Sequence, residues 1–207
     1  MPVRTKSMTD RFLTISNSVS SEIKIRKSRF IANAFPVSSV DEAISVLENI
    51  RKEYYDAGHN PFSYVLSDSN IFRYYDDGEP SGSSGKPIYD AINKHDLMNV
   101  IVIVTRYFGG IKLGVGGLKR AYFESACDCL DKCHKKEIVI KKPFEIEFDY
   151  KNISQVMQYI EKSGFTIKDN KSAEKVILML EIPLSGVKGF YSVITEVTGG
   201  KVKISEA

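Results

Sequence analysis

Six consecutive β-branched residues, Val100-Ile101-Val102-Ile103-Val104-Thr105, constrain this chain more than any other feature. Such side chains fit the pleat of a strand and crowd a helix. The run has no apolar–polar alternation, so both faces of the strand must be covered, and it belongs in the middle of a sheet. Two unusual loops bracket it. Asp76-Asp77-Gly78-Glu79-Pro80-Ser81-Gly82-Ser83-Ser84-Gly85-Lys86-Pro87 precedes it; Arg106-Tyr107-Phe108-Gly109-Gly110 follows, and Gly114-Val115-Gly116-Gly117 opens a helix. Seven of the 14 glycines lie between Gly78 and Gly116, which makes residues 74–120 the stretch where backbone bends sharply or is approached closely.

The flanking segments supply the rest of a sheet. Glu22 to Arg26 and Phe30 to Val37 read as strands around the basic Lys27-Ser28-Arg29. Ser39 and Glu42 form a capping box, with Ile44, Leu47, Ile50 and Tyr54 at helical spacing behind it. Phe62 to Leu66 and Ile71 to Tyr75 make a strand pair across Ser67-Asp68-Ser69-Asn70, and Pro87 sits in the first turn of a short helix. Residues 1–10 read as a loose start. After Lys141-Lys142-Pro143, read as a linker, the pattern restarts as strand, helix, hairpin, helix, strand. The order βαββαβ is the ferredoxin-like plan. The fold class is α+β: a mixed-sheet domain over residues 1–142 and a ferredoxin-like domain over residues 143–207.

Composition narrows the partners. Net charge is +3, and residues 1–142 hold 21 Lys+Arg against 17 Asp+Glu while the remainder holds 8 against 9, so the basic excess belongs to the first domain. Three cysteines, Cys127, Cys129 and Cys133, fall on one helical stripe, which suits core thiols in a reducing compartment better than a disulfide framework. No apolar run of about 18 residues is present, and Pro2 to Arg11 lacks a signal-peptide pattern; the expectation is a cytoplasmic protein with no membrane partner.

The loops carry the chemistry. Glycines between a buried strand and a helix expose N–H groups at the helix N-terminus, whose partial positive charge suits an anion. Arg106, Lys112, Lys119 and Arg120 surround Gly114, Gly116 and Gly117, and Lys86 ends the first loop, so a phosphate is the expected guest, free or in nucleic acid. No G-x-G-x-x-G or P-loop spacing is met, and tight turns alone also account for the glycines. Asp76, Asp77 and Glu79 admit three readings: a magnesium site, ion pairs with Arg106 or Lys112 that lock one loop to the other, or a solvated turn. No cofactor other than magnesium is suggested. No G-x-S-x-G elbow supports a nucleophilic serine; His59 is the better candidate base, against the plainer role of a structural hydrogen-bonder.

Four segments then become recognisable in order: Lys27-Ser28-Arg29-Phe30-Ile31-Ala32; Ala57-Gly58-His59-Asn60; Asp76 to Gly82 with Gly85-Lys86-Pro87; and Val104 to Gly114 through Gly116-Gly117-Leu118 and Arg120-Ala121-Tyr122. Over about residues 20–130 they resemble the IMPACT family in its bacterial, YigZ-like form, and the tail resembles the small domain that accompanies bacterial members. Gly58, Pro61-Phe62 and Ser83-Ser84 depart mildly from that pattern. The resemblance implies a first domain folded like the second domain of a ribosomal small-subunit protein and of the translocating elongation factor. It also implies a link to translation. Eukaryotic relatives regulate initiation by competing for an activator of the amino-acid-starvation kinase, through an additional N-terminal domain without counterpart here, so that role is not expected to carry over.

Together these features suggest a non-enzymatic, translation-related regulator that binds RNA, the ribosome or a nucleotide through the two facing loops. A magnesium-dependent enzyme acting on a phosphorylated small molecule, with His59 as base, and a protein-interaction module in translation control are the alternatives.

Overall fold

The computed structural model describes residues 10–67 and 71–207. The loose start read at residues 1–10 and the turn at Ser67-Asp68-Ser69-Asn70 fall largely outside the described residues. Two units are distinct: Phe12–Ile138, and Val139–Ala207 together with residues 10 and 11.

The first unit runs β1 (Arg11–Ile15), β2 (Val19–Ile25), β3 (Ser28–Pro36), α1 (Val40–Glu53), β4 (Phe62–Val65), β5 (Phe72–Tyr75), α2 (Gly85–Lys94), β6 (Val100–Tyr107), α3 (Gly114–Asp131) and β7 (Lys135–Val139). Five strands form one sheet in the order β2-β3-β6-β4-β5, and β1 pairs with β7 in a second, two-stranded sheet. The five-stranded sheet is not mixed as expected, because each of its neighbouring pairs is antiparallel. The physical reason is the place of β6. Through α1 the chain passes from β3 to β4, which runs the same way, but β6 lies between them in the opposite direction, so no neighbours are parallel.

The β-branched run is central, as its composition requires. Val100, Val102 and Val104 enter a core with α2 and α3 that includes Phe30, Ile88, Ile92, Leu118 and Tyr122. Ile101 and Ile103 enter a second core on the opposite face, with Leu47 and Ile50 of α1 and Phe62 and Tyr64 of β4. The start of α1 follows its capping box: Ser39 Oγ accepts from Glu42 N at 3.2 Å, and Glu42 Oε2 reaches back to Ser38 N at 2.6 Å. Cys127 and Cys129 are buried on α3 and Cys133, just past its end, is half-buried, all as free thiols.

The second unit runs β8 (Lys141–Phe148), α4 (Ile153–Ser163), β9 (Thr166–Asn170), β10 (Val176–Pro183), α5 (Val187–Val197) and β11 (Lys203–Glu206). Its sheet order, β11-β8-β10-β9 with antiparallel pairs, is ferredoxin-like. Lys141-Lys142-Pro143 is not a linker but the start of β8, opposite Pro183, Ile182 and Glu181. Pro143 fits there because β11 pairs only from Phe144 onward, so no ladder donor is missed. Asp169 and Asn170 complete β9, opposite Met179 and Leu178. Phe144, Ile146, Phe148 and Leu178 pack under Val156, Ile160, Phe190 and Ile194. The other sheet face is charged, with Glu147 held by Lys175 at 3.1 Å and Lys203 at 3.2 Å. Among the described residues, no helix is long and apolar enough to cross a membrane.

Candidate functional site

The acidic loop ahead of α2 turns its carboxylates inward. Asp76 accepts hydrogen bonds from Gly82 N (2.7 Å), Ser84 N (3.0 Å), Ser84 Oγ (2.8 Å) and Gly85 N (2.9 Å), and so satisfies donors at the start of α2. Burial works to raise its pKa, but the hydrogen bonds from Gly82, Ser84 and Gly85 outweigh it and hold the carboxyl below its ordinary value. Gly85 is required by space, since a Cβ there would lie 2.6 Å from Tyr75 N. Asp77 joins three segments: Oδ1 meets Arg51 Nη2 at 2.7 Å, Oδ2 accepts from Asn60 N at 2.7 Å, and its carbonyl accepts from His59 Nδ1 at 2.8 Å. His59 is thus engaged as a structural donor.

Glu79 goes deepest. Its Oε1 accepts from Arg106 Nη1 at 2.6 Å and from Tyr122 Oη at 2.7 Å, all three groups being buried. Burial, the charge of Glu79 and that hydrogen bond together push the Tyr122 phenol far above its ordinary pKa, so it remains a donor. The guanidinium of Arg106 lies between two rings, 5.6 Å from the centroid of Phe30 and 5.4 Å from that of Phe108. Arg106, expected among the phosphate ligands, is placed as a buried tie between the loops because Glu79 neutralises it from beneath.

The three carboxylates therefore point to separate protein donors, and no cluster of three metal-ligating side chains is found among the described residues. Lys86 is engaged on its own helix, paired with Asp90 and placed over the ring of Tyr89.

The start of α3 is arranged the other way. Both helices have an N-cap that supplies no side-chain hydrogen bond and a first turn with no acidic residue, but at α3 no carboxylate among the described residues takes the place that Asp76 fills at α2. Lys112, Lys119 and Arg120 are exposed around it, and no ion pair or hydrogen bond engages them among the described residues. Gly114 needs its glycine for backbone reasons, at φ +71°, and at Gly117 a Cβ would come 3.1 Å from Leu113 Cβ. Gly116 has neither reason: its φ is ordinary and a Cβ would meet nothing within 4 Å. The result is an open helix start reachable by an outside group.

The β2–β3 turn completes this face. Arg26 and Lys27 occupy it with φ of 43° and 67° and are exposed. Arg26 lines one pocket with Leu113, Gly117 and Arg120, and Glu124 adds a carboxylate to the same lining. Gly109 lies flat against the turn: a Cβ would fall 2.1 Å from the Lys27 carbonyl carbon and oxygen, and Gly109 N donates to Ser28 Oγ at 3.2 Å. Sequence reasoning missed Arg26 and Lys27 as members of the basic face, and Arg51 and Tyr122 as partners of the acidic loop. The basic turn was visible in Lys27-Ser28-Arg29; Tyr122 stood within the Arg120-Ala121-Tyr122 motif with no local signal of its partner Glu79.

The model of the Impact N-terminal domain matches residues 26–130, half of the chain. This chain belongs to the IMPACT family. The IMPACT family member YvyE of Bacillus subtilis (strain 168) is 34% identical over 200 residues, covering 96% of this chain and 92% of that protein. The IMPACT family member YigZ of Escherichia coli (strain K12) is 26% identical over 184 residues, covering 87% of this chain and 90% of that protein. A crystal structure of a hypothetical protein superposes with a TM-score of 0.68 at 25% identity, covering 97% of this chain and 98% of that one. The IMPACT match spans β3, β6 and the acidic loop, and thus the segments that Asp77, Glu79 and Arg106 tie together.

Proposed function

We propose that this IMPACT-family protein is a non-enzymatic, translation-related RNA-binding protein that holds phosphates of RNA, ribosomal RNA included, at the N-terminus of α3. Family membership supports the connection with translation. The observation that carries the RNA reading is the contrast between the two helix starts. Asp76 fills that of α2, whereas that of α3 is uncapped, contains a glycine its own packing does not require, and is flanked by the exposed Lys112, Lys119 and Arg120, which have no ion pair among the described residues. Anion capture by a helix start and salt-sensitive binding of a polyanion are the chemistry such a surface performs. The alternative of magnesium-dependent catalysis draws no support from Asp76, Asp77 and Glu79, which are committed to different protein donors.

Fluorescence anisotropy with labelled RNA over a salt series tests the proposal. Affinity is expected to fall steeply as salt rises, and the triple variant K112A/K119A/R120A is expected to bind more weakly with a shallower salt dependence. Absence of RNA binding at low salt, or binding indifferent to both salt and the triple variant, overturns it.

A further inference from the structure

Phe108 is 58% exposed although it sits in the tightest part of the loop after β6. Its position is fixed from several sides. Behind the ring lies the Arg106 guanidinium, itself anchored by Glu79 and backed by Phe30. One residue later, Gly109 abuts the backbone of Lys27 and bonds to Ser28. The ring is therefore an exposed, preorganised π surface at the outer end of a Phe30–Arg106–Phe108 stack. Cations with no ion pair or hydrogen bond among the described residues occur on both connected segments: Arg26 and Lys27 on the turn below, Lys112 farther along the same loop.

We infer that Phe108 stacks on an unpaired base, so that the face is selective for single-stranded RNA over duplex. This rests on the RNA reading above and specifies its substrate. In a duplex the base faces are covered by neighbouring pairs, and only phosphates and groove edges are within reach; in a single strand each base has a free π face. An aromatic ring flanked by cations engages both parts of such a strand, the ring taking a base and the ammonium and guanidinium groups taking the adjoining phosphates. The charge of the surroundings favours this occupant over an apolar protein segment, because covering Arg26, Lys27 and Lys112 with apolar groups would strip water from three uncompensated cations.

The test compares a 12-nucleotide oligouridine with a 12-base-pair RNA duplex, using the full chain and the variants F108A, F108L and F108W. Phe108 belongs to none of the apolar cores, so these substitutions leave the cores intact and alter only its contact with Arg106. Loss of one stacked base is expected to weaken oligouridine binding about tenfold in both F108A and F108L, with F108W close to the unsubstituted protein and duplex affinity unchanged throughout. The chain has no tryptophan, so F108W introduces a sole reporter whose fluorescence is expected to be quenched by oligouridine and not by duplex. If both RNAs bind with steep salt dependence but F108A and F108L leave oligouridine affinity intact, or if they weaken duplex binding equally, the stacking inference is overturned while phosphate binding stands. If neither RNA binds at low salt, the proposed function falls and the stacking inference with it.

Discussion

Arg106 Nη1 and Glu79 Oε1 are 2.6 Å apart, with side chains only 7% and 3% exposed, so a buried ion pair joins the strand that ends at one loop to the loop that precedes α2. Tyr122 donates to the same carboxylate oxygen. Removing one partner leaves the other charge in a place water does not reach, which is costlier than losing an exposed ion pair. The Glu79→Ala variant is expected to lose about 3–5 kcal/mol of stability in urea denaturation. Replacing both partners with apolar residues, as in E79L/R106M, should cost less than the single change. An E79A loss within 1 kcal/mol of zero, by the scale of an exposed pair, is the contrary result.

Two glycines of the site should respond in opposite directions. Gly109→Ala drives a methyl group into the Lys27 backbone, where the 2.1 Å approach demands that the loop or the turn move, and a stability loss of about 1–3 kcal/mol is expected. Gly116→Ala meets nothing and replaces a poor helix former with the best one, so it should raise stability by about half a kcal/mol. The same change narrows the approach to the α3 backbone and should weaken RNA binding. Paired melting and anisotropy measurements decide both; a G116A protein that is more stable and binds RNA equally well contradicts the role given to that helix start.

Asp76 gives the site a defined acid sensitivity. Its folded-state pKa lies below the unfolded value, so its stabilising contribution is complete above the ordinary carboxylate pKa, about 4, and is lost as pH falls through the lower folded value. Asp76→Asn is expected to cost about 0.5–2 kcal/mol at neutral pH through weakened capping of α2, with the gap to the unsubstituted protein closing only below about pH 4. Denaturation curves from pH 7 to pH 3 measure this. A gap that already closes between pH 7 and pH 5 contradicts the assignment.

The three thiols of α3 and its end should be unequal. Burial pushes Cys127 up, while interaction with the neighbouring Cys133, followed by burial, raises Cys129. The half-buried Cys133, whose thiol donates to the Cys129 carbonyl at 3.5 Å, is lowered through that same interaction. Because the thiolate is the reactive form, an aromatic disulfide reagent should modify one thiol quickly in the native protein and all three after denaturation. Cys133→Ser should abolish the fast phase, and persistence of that phase refutes the ordering.

Much of this architecture is legible residue by residue. The strand Val100–Tyr107 declares itself because unbroken β-branched side chains admit few other environments, and Ser39 with Glu42 marks α1 because a cap is a local interaction. The direction of strands is a different matter. Whether β3 and β4 touch depends on β6, which follows β4 only after β5 and α2, and no local pattern records that insertion. The basic residues of the 106–120 stretch looked alike in sequence, yet Arg106 is internal while Lys112, Lys119 and Arg120 face solvent. What separates them is Glu79, 27 residues earlier, and Tyr122, 43 residues beyond Glu79, which become neighbours only in the folded chain.

The alternation of β6 has a thermodynamic meaning of its own. Val100, Val102 and Val104 belong to the core beneath α2 and α3, and Ile101 and Ile103 to the core beneath α1, so the two apolar clusters share a single stretch of backbone. Fraying of that strand would expose both clusters at once, so loss of one through β6 carries the other with it. Although it contains two separate hydrophobic layers, the Phe12–Ile138 unit is built to melt as one cooperative block.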